Sequence, residues 1–195
     1  MGREAILKSV KENKPTLLPL PEIDETVFFE TIDLVAFFKE KVALVGGSII
    51  EINKLKEIDA EIKKRYPKAK DIISCSQKST LETISISEKT NPHELESIHL
   101  AILDGDFGLA ENGAIWISEK EFPIRVLPFI TNDLVIILNK EKLYSNLHEA
   151  YKLIANRERT FGLFISGPSK TADIEQCLVI GAQGAMSLTV FLINK

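Results

Sequence analysis

The run DLVIIL at residues 133–138 is the clearest indication of the fold class, because it is apolar at almost every position rather than at every second one. A continuous apolar run of this length is typical of a β-strand whose two faces are both covered. Similar runs are LTVFLI at 188–193 and TFGLFIS at 160–166. Helical patterns separate these runs, and the alternation predicts an α/β fold with right-handed crossovers and a mostly parallel sheet.

The remaining elements follow from the spacing of apolar residues. Helices are predicted around Ala5, Ile6 and Val10, over 26–39, around Leu55, Ile58 and Ile62, over 143–154 and, as a short helix, over 172–179. Short strands are predicted for KVALVGG at 41–47, ended by its two glycines, and for DIISC at 71–75. Residues 76–97 give no clear signal for either kind of element.

The segment PTLLPLPE at 15–22 carries three prolines and is the one stretch that resembles a linker. It predicts two parts, an N-terminal helix with a Pro-rich linker at 1–22 and an α/β domain at 23–195. The length of 195 residues suits one domain with a sizeable core.

Charge and composition exclude several classes of function. The chain has 24 basic and 28 acidic residues, dispersed along its length, so no surface that attracts nucleic acid is indicated. No apolar run approaches the roughly 20 residues that span a bilayer. The N-terminal segment has no apolar core of a signal peptide, so we expect a cytoplasmic protein.

The cysteines and histidines indicate no metal centre within the chain. Cys75 and Cys177 are far apart in sequence and neither belongs to a C-x-x-C motif, which excludes a cysteine-ligated iron–sulfur cluster or structural zinc by ligand count. His93, His99 and His148 have no mutual spacing that suggests a metal site. Any redox cofactor is therefore expected in a partner.

The segment ISGPSKTADIEQ at 165–176 is the first candidate site. It is expected to follow a strand and precede a helix, the position where open parallel sheets bind ligands. Gly167 allows close approach of the backbone, and Ser169 or Thr171 could cap the helix while its N–H groups hold an anion. The alternative is a simple helix start, with Asp173 placed well for the helix dipole. Gly162 and Gly167 have the GxxxxG spacing of a P-loop, but two residues separate Gly167 from Lys170, so the segment is not a P-loop.

Two further segments combine glycines with polar side chains. In GLAENGAIWIS at 108–118, Asn112 and Gly113 predict a hairpin turn, and the alternative is that the turn presents Glu111 as a nucleophile or base. In GAQGAM at 181–186, Gly181 and Gly184 permit close backbone approach. Gln183 adds a donor and an acceptor there, although an ordinary loop also explains the segment.

Taken together, AENGA, the Arg and LP pair of IRVLPF, SGPSKTADIE and GAQGAM resemble, in order and spacing, the lactate utilisation protein C family of LUD domains. The resemblance implies a three-layer α/β/α sandwich of the NagB/RpiA/CoA-transferase type. It also implies a role in the oxidation of L-lactate to pyruvate beside two partner subunits that carry iron–sulfur clusters. No cofactor of its own is implied for this chain.

The resemblance also indicates which residues this chain shares with the family and where it differs from the family pattern. The shared positions are Glu111, Gly113, Arg125, Pro128, Gly167, Pro168, Ser169, Thr171, Asp173, Glu175, Gly181 and Gly184. Relatives usually have His where this chain has Gln183, Pro where it has Ala185, and commonly another His near Thr131. If those histidines transfer protons in the family, this chain lacks that ability.

Three hypotheses follow for the function. The first is an accessory subunit of an iron–sulfur L-lactate oxidation complex that binds a small anionic ligand at the sheet edge. The second is a CoA-transferase-like or sugar-phosphate-type enzyme with Glu111 as its catalytic residue. The third is a non-catalytic ligand-binding or regulatory module. The candidate ligand-binding residues are Asn112, Gly113, Arg125, Gly167, Ser169, Lys170, Thr171, Asp173, Gly181, Gln183 and Gly184.

Overall fold

The computed structural model describes residues 2–19, 21, 24, 32–155, 157–158, 161–172 and 177–194. The chain divides into two units, Met1–Glu30 and Thr31–Lys195. The first unit contains helix α1 (Arg3–Glu12), where the sequence predicts it. None of the residues of α1 is buried, and its apolar side chains Ile6 and Val10 are about half exposed.

The second unit contains the other helices and all the strands that the described residues form. In chain order these are α2 (Leu34–Leu44), β1 (Ser48–Ile52), α3 (Ile58–Arg65), β2 (Ile72–Ser74), β3 (Leu100–Asp104), β4 (Phe107–Leu109), β5 (Ile115–Ser118), α4 (Leu127–Ile130), β6 (Asp133–Asn139), β7 (Leu143–Tyr144), α5 (Leu147–Ala155), β8 (Gly162–Ile165), β9 (Lys170–Thr171), β10 (Val179–Ile180) and β11 (Ser187–Ile193). Short 3-10 helices lie at Leu55–Glu57, Pro92–Leu95 and Lys140–Lys142.

The central sheet has the strand order β1-β11-β6-β3-β2, and every neighbouring pair is parallel. The continuous apolar sequence of β6 is explained by its central position, because alternate residues of the strand pack into two different hydrophobic clusters. Leu134, Ile136 and Leu138 join one cluster, whereas Val135 and Ile137 join the other. The predicted α/β class with a mostly parallel sheet is therefore confirmed.

Different layers cover the two faces of this sheet. Helix α3 covers one face with Ile58 and Ile62, both essentially inaccessible to solvent. The opposite face packs against Phe38 and Val42 of α2 and against a second sheet with the order β7-β4-β5-β8. In that sheet β5 is antiparallel to both β4 and β8, whereas β4 and β7 are parallel.

The predicted strand at 41–47 is wrong, because residues 41–44 form the last turn of α2. Asp33 caps the start of this helix, since its Oδ1 accepts hydrogen bonds from the N–H groups of Val35 and Ala36 at 3.0 and 3.1 Å. Phe38 and Val42 are four residues apart, which places them on one buried face of a helix. The helix predicted over 26–39 therefore runs further along the chain, and residues 26–31 lie outside the described residues.

The short helix predicted over 172–179 is also not formed at its described positions. Thr171 pairs with Val179, and Lys170 pairs with Ile180, in an antiparallel hairpin of β9 and β10. Three of these four residues are β-branched, and such side chains favour extended backbone. Residues 173–176 between the two strands lie outside the described residues.

Smaller differences concern the fourth helical segment and the unassigned stretch. Leu143 lies in β7 rather than in a helix, and α5 begins only at Leu147. Residues 76–91 are turns and irregular backbone, followed by the 3-10 helix at Pro92–Leu95. None of the described helices has the length and hydropathy needed to cross a membrane.

Candidate functional site

The SGPSK and GAQGA segments meet at one cleft of about 270 Å³, which we call the amino-edge cleft. Two backbone hydrogen bonds join the segments: the N–H of Ser169 donates to the carbonyl of Ala185 at 2.8 Å, and the N–H of Gly181 donates to the carbonyl of Ser169 at 3.0 Å. The residues that line the cleft include Gly167, Pro168, Ser169, Lys170, Gln183 and Gly184 from these segments, together with Pro128 and Phe129 of α4. Segments separated by more than ten residues thus form one surface.

The amino-edge cleft lies at the amino ends of the parallel strands, not at their carboxyl ends as the sequence predicts. Ala185 lies two residues before β11, Phe129 lies shortly before β6, and the N–H of Met186 donates to the carbonyl of Asn132 at 2.7 Å. The physical reason is that the SGPSK segment follows β8, which belongs to the second sheet and is antiparallel to its neighbour β5. The rule that places ligands at carboxyl ends applies to strands of the parallel sheet.

Lys170 is the single charged side chain among the described residues that line the amino-edge cleft. Its Nζ donates to the carbonyl of Val45, at the end of α2. An ammonium group has three N–H donors, so this contact leaves donors for a further acceptor. The carbonyl anchors the positive charge at the cleft.

Two glycines that line this cleft have backbone N–H groups without a partner among the described residues. Gly167 is buried, has a φ of +75°, and its N–H forms no hydrogen bond with any described residue. The same holds, within the described part of the chain, for the N–H of Gly184. A Cβ at Gly184 would lie 3.1 Å from the Cβ of Ser169, so the small residue keeps the two segments in close contact.

Glu111 is exposed and stands away from this cleft. Its Oε1 accepts a hydrogen bond of 2.8 Å from the N–H of Leu147, the first residue of α5, and its own N–H donates to the carbonyl of Ser145 at 3.0 Å. A carboxylate at this position satisfies a helix N-terminus and interacts favourably with the helix dipole. The geometry therefore gives Glu111 a capping contact, and a catalytic role for it remains a prediction.

The hairpin predicted at Asn112 and Gly113 is confirmed. The Oδ1 of Asn112 accepts from the N–H of Ala114 at 2.9 Å, and Gly113 has a φ of +67°. A Cβ at Gly113 would lie 2.8 Å from the backbone N of Val42, so the turn packs directly on helix α2. The hydroxyl of Ser166 donates to the carbonyl of Asn112 at 2.8 Å and connects this turn to the SGPSK segment.

Arg125 is separate from the amino-edge cleft and is already paired. Its Nε and Nη2 lie 2.9 and 2.8 Å from Oε2 of Glu119, and its guanidinium lies 5.0 Å from the centre of the Phe161 ring. Glu119 also accepts from the N–H of Phe161, and these hydrogen bonds lower the pKa of its carboxyl. The pair connects the segment after β5 to the start of β8.

The other predicted site residues lie beside the cleft or outside the described residues. Thr171 belongs to β9, and Gly181, with a φ of +83°, follows β10. Asp173 and Glu175 are outside the described residues. Thr131, which stands where relatives commonly have His, is buried and donates from Oγ1 to the carbonyl of Asp133 at 2.8 Å.

The carboxyl ends of β2 and β3 carry a polar network that the sequence does not predict. The hydroxyl of Ser76 donates to Asp104 at 2.6 Å, and Nζ of Lys78 lies 2.7 Å from the other oxygen of that carboxylate. Asp59 accepts from Ser79 and Thr80; burial opposes its ionisation, but these hydrogen bonds outweigh burial and lower its pKa. The sequence feature that could have indicated this network is the polar run SQKST at 76–80, directly after the strand predicted at 71–75.

A shallow cleft of about 340 Å³ adjoins this network and contains Cys75 and Glu121. Burial, reinforced by Glu82 and Asp104, raises the pKa of the Cys75 thiol to about 11. Burial and the nearby charges of Asp104 and Asp106 raise the pKa of Glu121. No three His, Cys, Asp or Glu side chains converge on a metal-binding position within the described ranges.

The chain belongs to the LUD domain family, whose model matches residues 4–193. Among curated relatives, the lactate utilization protein C of Bacillus pumilus (strain SAFR-032) is 30% identical over 114 residues, which cover 55% of this chain and 48% of the relative. The lactate utilization protein C of Geobacillus kaustophilus (strain HTA426) is 27% identical over 112 residues, which cover 54% and 47%. The chain thus spans about half the length of the curated relatives it matches.

A crystal structure of a DUF162 family protein from Deinococcus radiodurans has the same fold. It matches with a TM-score of 0.63 and 14% sequence identity over 83% of this chain and 96% of that chain. The family resemblance stated from the AENGA, SGPSK and GAQGAM segments is therefore confirmed.

Proposed function

We propose that this chain acts in lactate utilisation as an accessory subunit of an iron–sulfur L-lactate oxidation complex, and that its amino-edge cleft holds a small anionic ligand. The membership of the LUD family and the relatives named lactate utilization protein C support the first part. The charge and donor groups of the cleft support the second part.

The position of Lys170 is the main observation that supports an anionic ligand. It contributes a positive charge to a cleft in which no acidic side chain is among the described lining residues. The N–H groups of Gly167 and Gly184 and the hydroxyl of Ser169 add neutral donors on the same surface. Such donors match a carboxylate or phosphate, because hydrogen bonds to an ionised acceptor are stronger than those between neutral groups.

Electron transfer is assigned to the partners because this chain has too few cysteines to ligate an iron–sulfur cluster. Cysteine-ligated iron–sulfur clusters need about four thiolates, and this chain has two cysteines, one half-buried at position 75 and one exposed at 177. The proposed subunit therefore binds or positions the anion while its partners accept the electrons. The contact of Glu111 with α5 favours this role over acyl transfer on Glu111.

The partnership is tested by native affinity purification from the source cells under anaerobic conditions. We expect cysteine-rich partners to co-purify, with iron, acid-labile sulfide and lactate-dependent dye reduction in the eluate. Recovery of the chain alone and free of iron, under conditions that preserve clusters in a control complex, would contradict the proposed partnership.

The ligand site is tested separately on the purified chain by thermal unfolding with L-lactate, pyruvate or inorganic phosphate. A ligand at 100 times its Kd stabilises the folded state by about 2.7 kcal/mol. We expect Lys170→Ala to lose most of the stabilisation by the best of these anions and Lys68→Ala, an exposed lysine outside the cleft, to retain it. Equal stabilisation of both variants would remove Lys170 from the site.

A further inference from the structure

A third cleft of about 570 Å³ lies between the outer face of β5 and the end of α5, and we call it the aromatic cleft. Trp116, Ser118 and Lys120 line one side, and Tyr151, Ile154 and Arg157 line the other. Its volume falls in the range of small-molecule sites, about 300–1,000 Å³. It shares no lining residue with the amino-edge cleft.

Trp116 forms the floor of the aromatic cleft. Its ring lies 4.8 Å from that of Phe164 and stacks at 6.2 Å on Phe107, so packing holds the indole in place. Gly162 lies beside the indole on the adjacent strand, and a Cβ there would come within 2.7 Å of Cη2 of Trp116. The indole therefore packs directly over Gly162, where no side chain would fit, and it remains partly exposed.

Ser118 provides the observation that points to a ligand. Its exposed fraction is 8%, and it lines the cleft on the same face of β5 as Trp116, while Ile115 and Ile117 between them face the main core. No described residue forms a hydrogen bond with its hydroxyl. Buried hydroxyl groups nearly always have a partner, and leaving one without a partner is unfavourable. A polar atom of a bound molecule would satisfy it.

The charges around the cleft restrict the ligand further. Lys120 and Arg157 are cationic, but Arg157 pairs with Asp106, and Glu158 also lines the cleft. Among the described residues, Asp106 and Glu158 offset the charges of Arg157 and Lys120, which does not favour a polyphosphate. The apolar wall formed by Ile154 and the two aromatic residues instead matches a flat, largely neutral ring.

We propose that the aromatic cleft binds a planar heteroaromatic ring, with the ring against Trp116 and Tyr151 and a ring nitrogen or carbonyl bonded to Ser118. A nucleobase, a nicotinamide and an isoalloxazine share this chemistry. The site is independent of the amino-edge cleft and of the proposed lactate role. It adds a second ligand class to the protein.

The test uses the fluorescence of Trp116, which is the one tryptophan of the chain. Adenosine, nicotinamide and riboflavin are titrated separately into the purified full chain, with correction for absorbance, and heats of binding are measured by calorimetry. We expect at least one of the three probes to quench the emission saturably with a calorimetric Kd that agrees. The probe that binds shows which of the three classes of ring the cleft accepts. Absence of saturable binding by all three would overturn the proposal.

Variants then locate the binding. Ser118→Ala should weaken binding of the active probe about fivefold to tenfold, the loss expected for one neutral hydrogen bond. Its unfolding midpoint should not fall, because the hydroxyl has no partner among the described residues. Tyr151→Ala, at a side chain that is 62% exposed, should weaken binding while the fold is retained. Ser85→Ala, at an exposed serine elsewhere, is the control. Unchanged affinity in both cleft variants would refute this location.

Discussion

Replacing Gly113 by alanine tests whether the turn after β4 requires glycine for two separate reasons. Gly113 has a φ of +67°, where an L side chain costs about 1–2 kcal/mol. Its Cβ would also lie 2.8 Å from the backbone N of Val42 and 3.0 Å from the backbone C of Lys41. Helix backbone cannot rotate away, so overpacking adds about 1–3 kcal/mol. The expected total loss of unfolding free energy is about 2–5 kcal/mol.

Gly46→Ala provides a matched control, because Gly46 has a similar φ of +82° but more space. Its Cβ would meet Nζ of Lys170 at 3.4 Å, which is an ordinary van der Waals contact with a side chain rather than a clash with backbone. This variant should therefore show the backbone cost alone, about 1–2 kcal/mol. The assay is urea unfolding of both variants with the slope and midpoint fitted together. Equal losses in the two variants would refute the argument that the turn packs against helix α2.

The other predictions concern three ionisable groups. Glu111→Gln should keep an acceptor for the N–H of Leu147 and lower the unfolding free energy by less than about 1 kcal/mol, whereas Glu111→Ala should lower it more; equal effects in urea unfolding would contradict the capping contact. With iodoacetamide at pH 7.5, mass spectrometry should find exposed Cys177 modified well before Cys75, whose pKa of about 11 leaves little thiolate; equal rates would contradict its burial. Because the pKa of Asp59 is lowered on folding, its stabilising contribution is complete above its ordinary pKa and is lost as the pH falls through its folded value. The stability difference between the wild type and Asp59→Asn should therefore be constant above about pH 5 and shrink as the pH falls below about 4. A difference that stays constant at low pH would count against the hydrogen bonds from Thr80 and Ser79.

Elements with a local sequence signal could be predicted before the structure was known. Strands β6 and β11 are recognisable because both faces of a central parallel strand are buried, and nearly all of its residues are then apolar. The AENG turn is recognisable because Asn112 and Gly113 tolerate the backbone angles of a hairpin. The family could be identified from segments that keep their order along the chain.

The location of the candidate site and the contacts of several of its residues depend on tertiary packing and could not be predicted from the sequence. The apolar text of 41–44 suits a strand or a helix equally, and only the packing of Phe38 and Val42 against the sheet selects the helix. The SGPSK segment reaches the amino edge of the parallel sheet because β8 pairs with β5. Glu111 meets the N-terminus of α5 across 36 positions of sequence. Such contacts depend on which chain segments become neighbours, and no local pattern of residues encodes that choice.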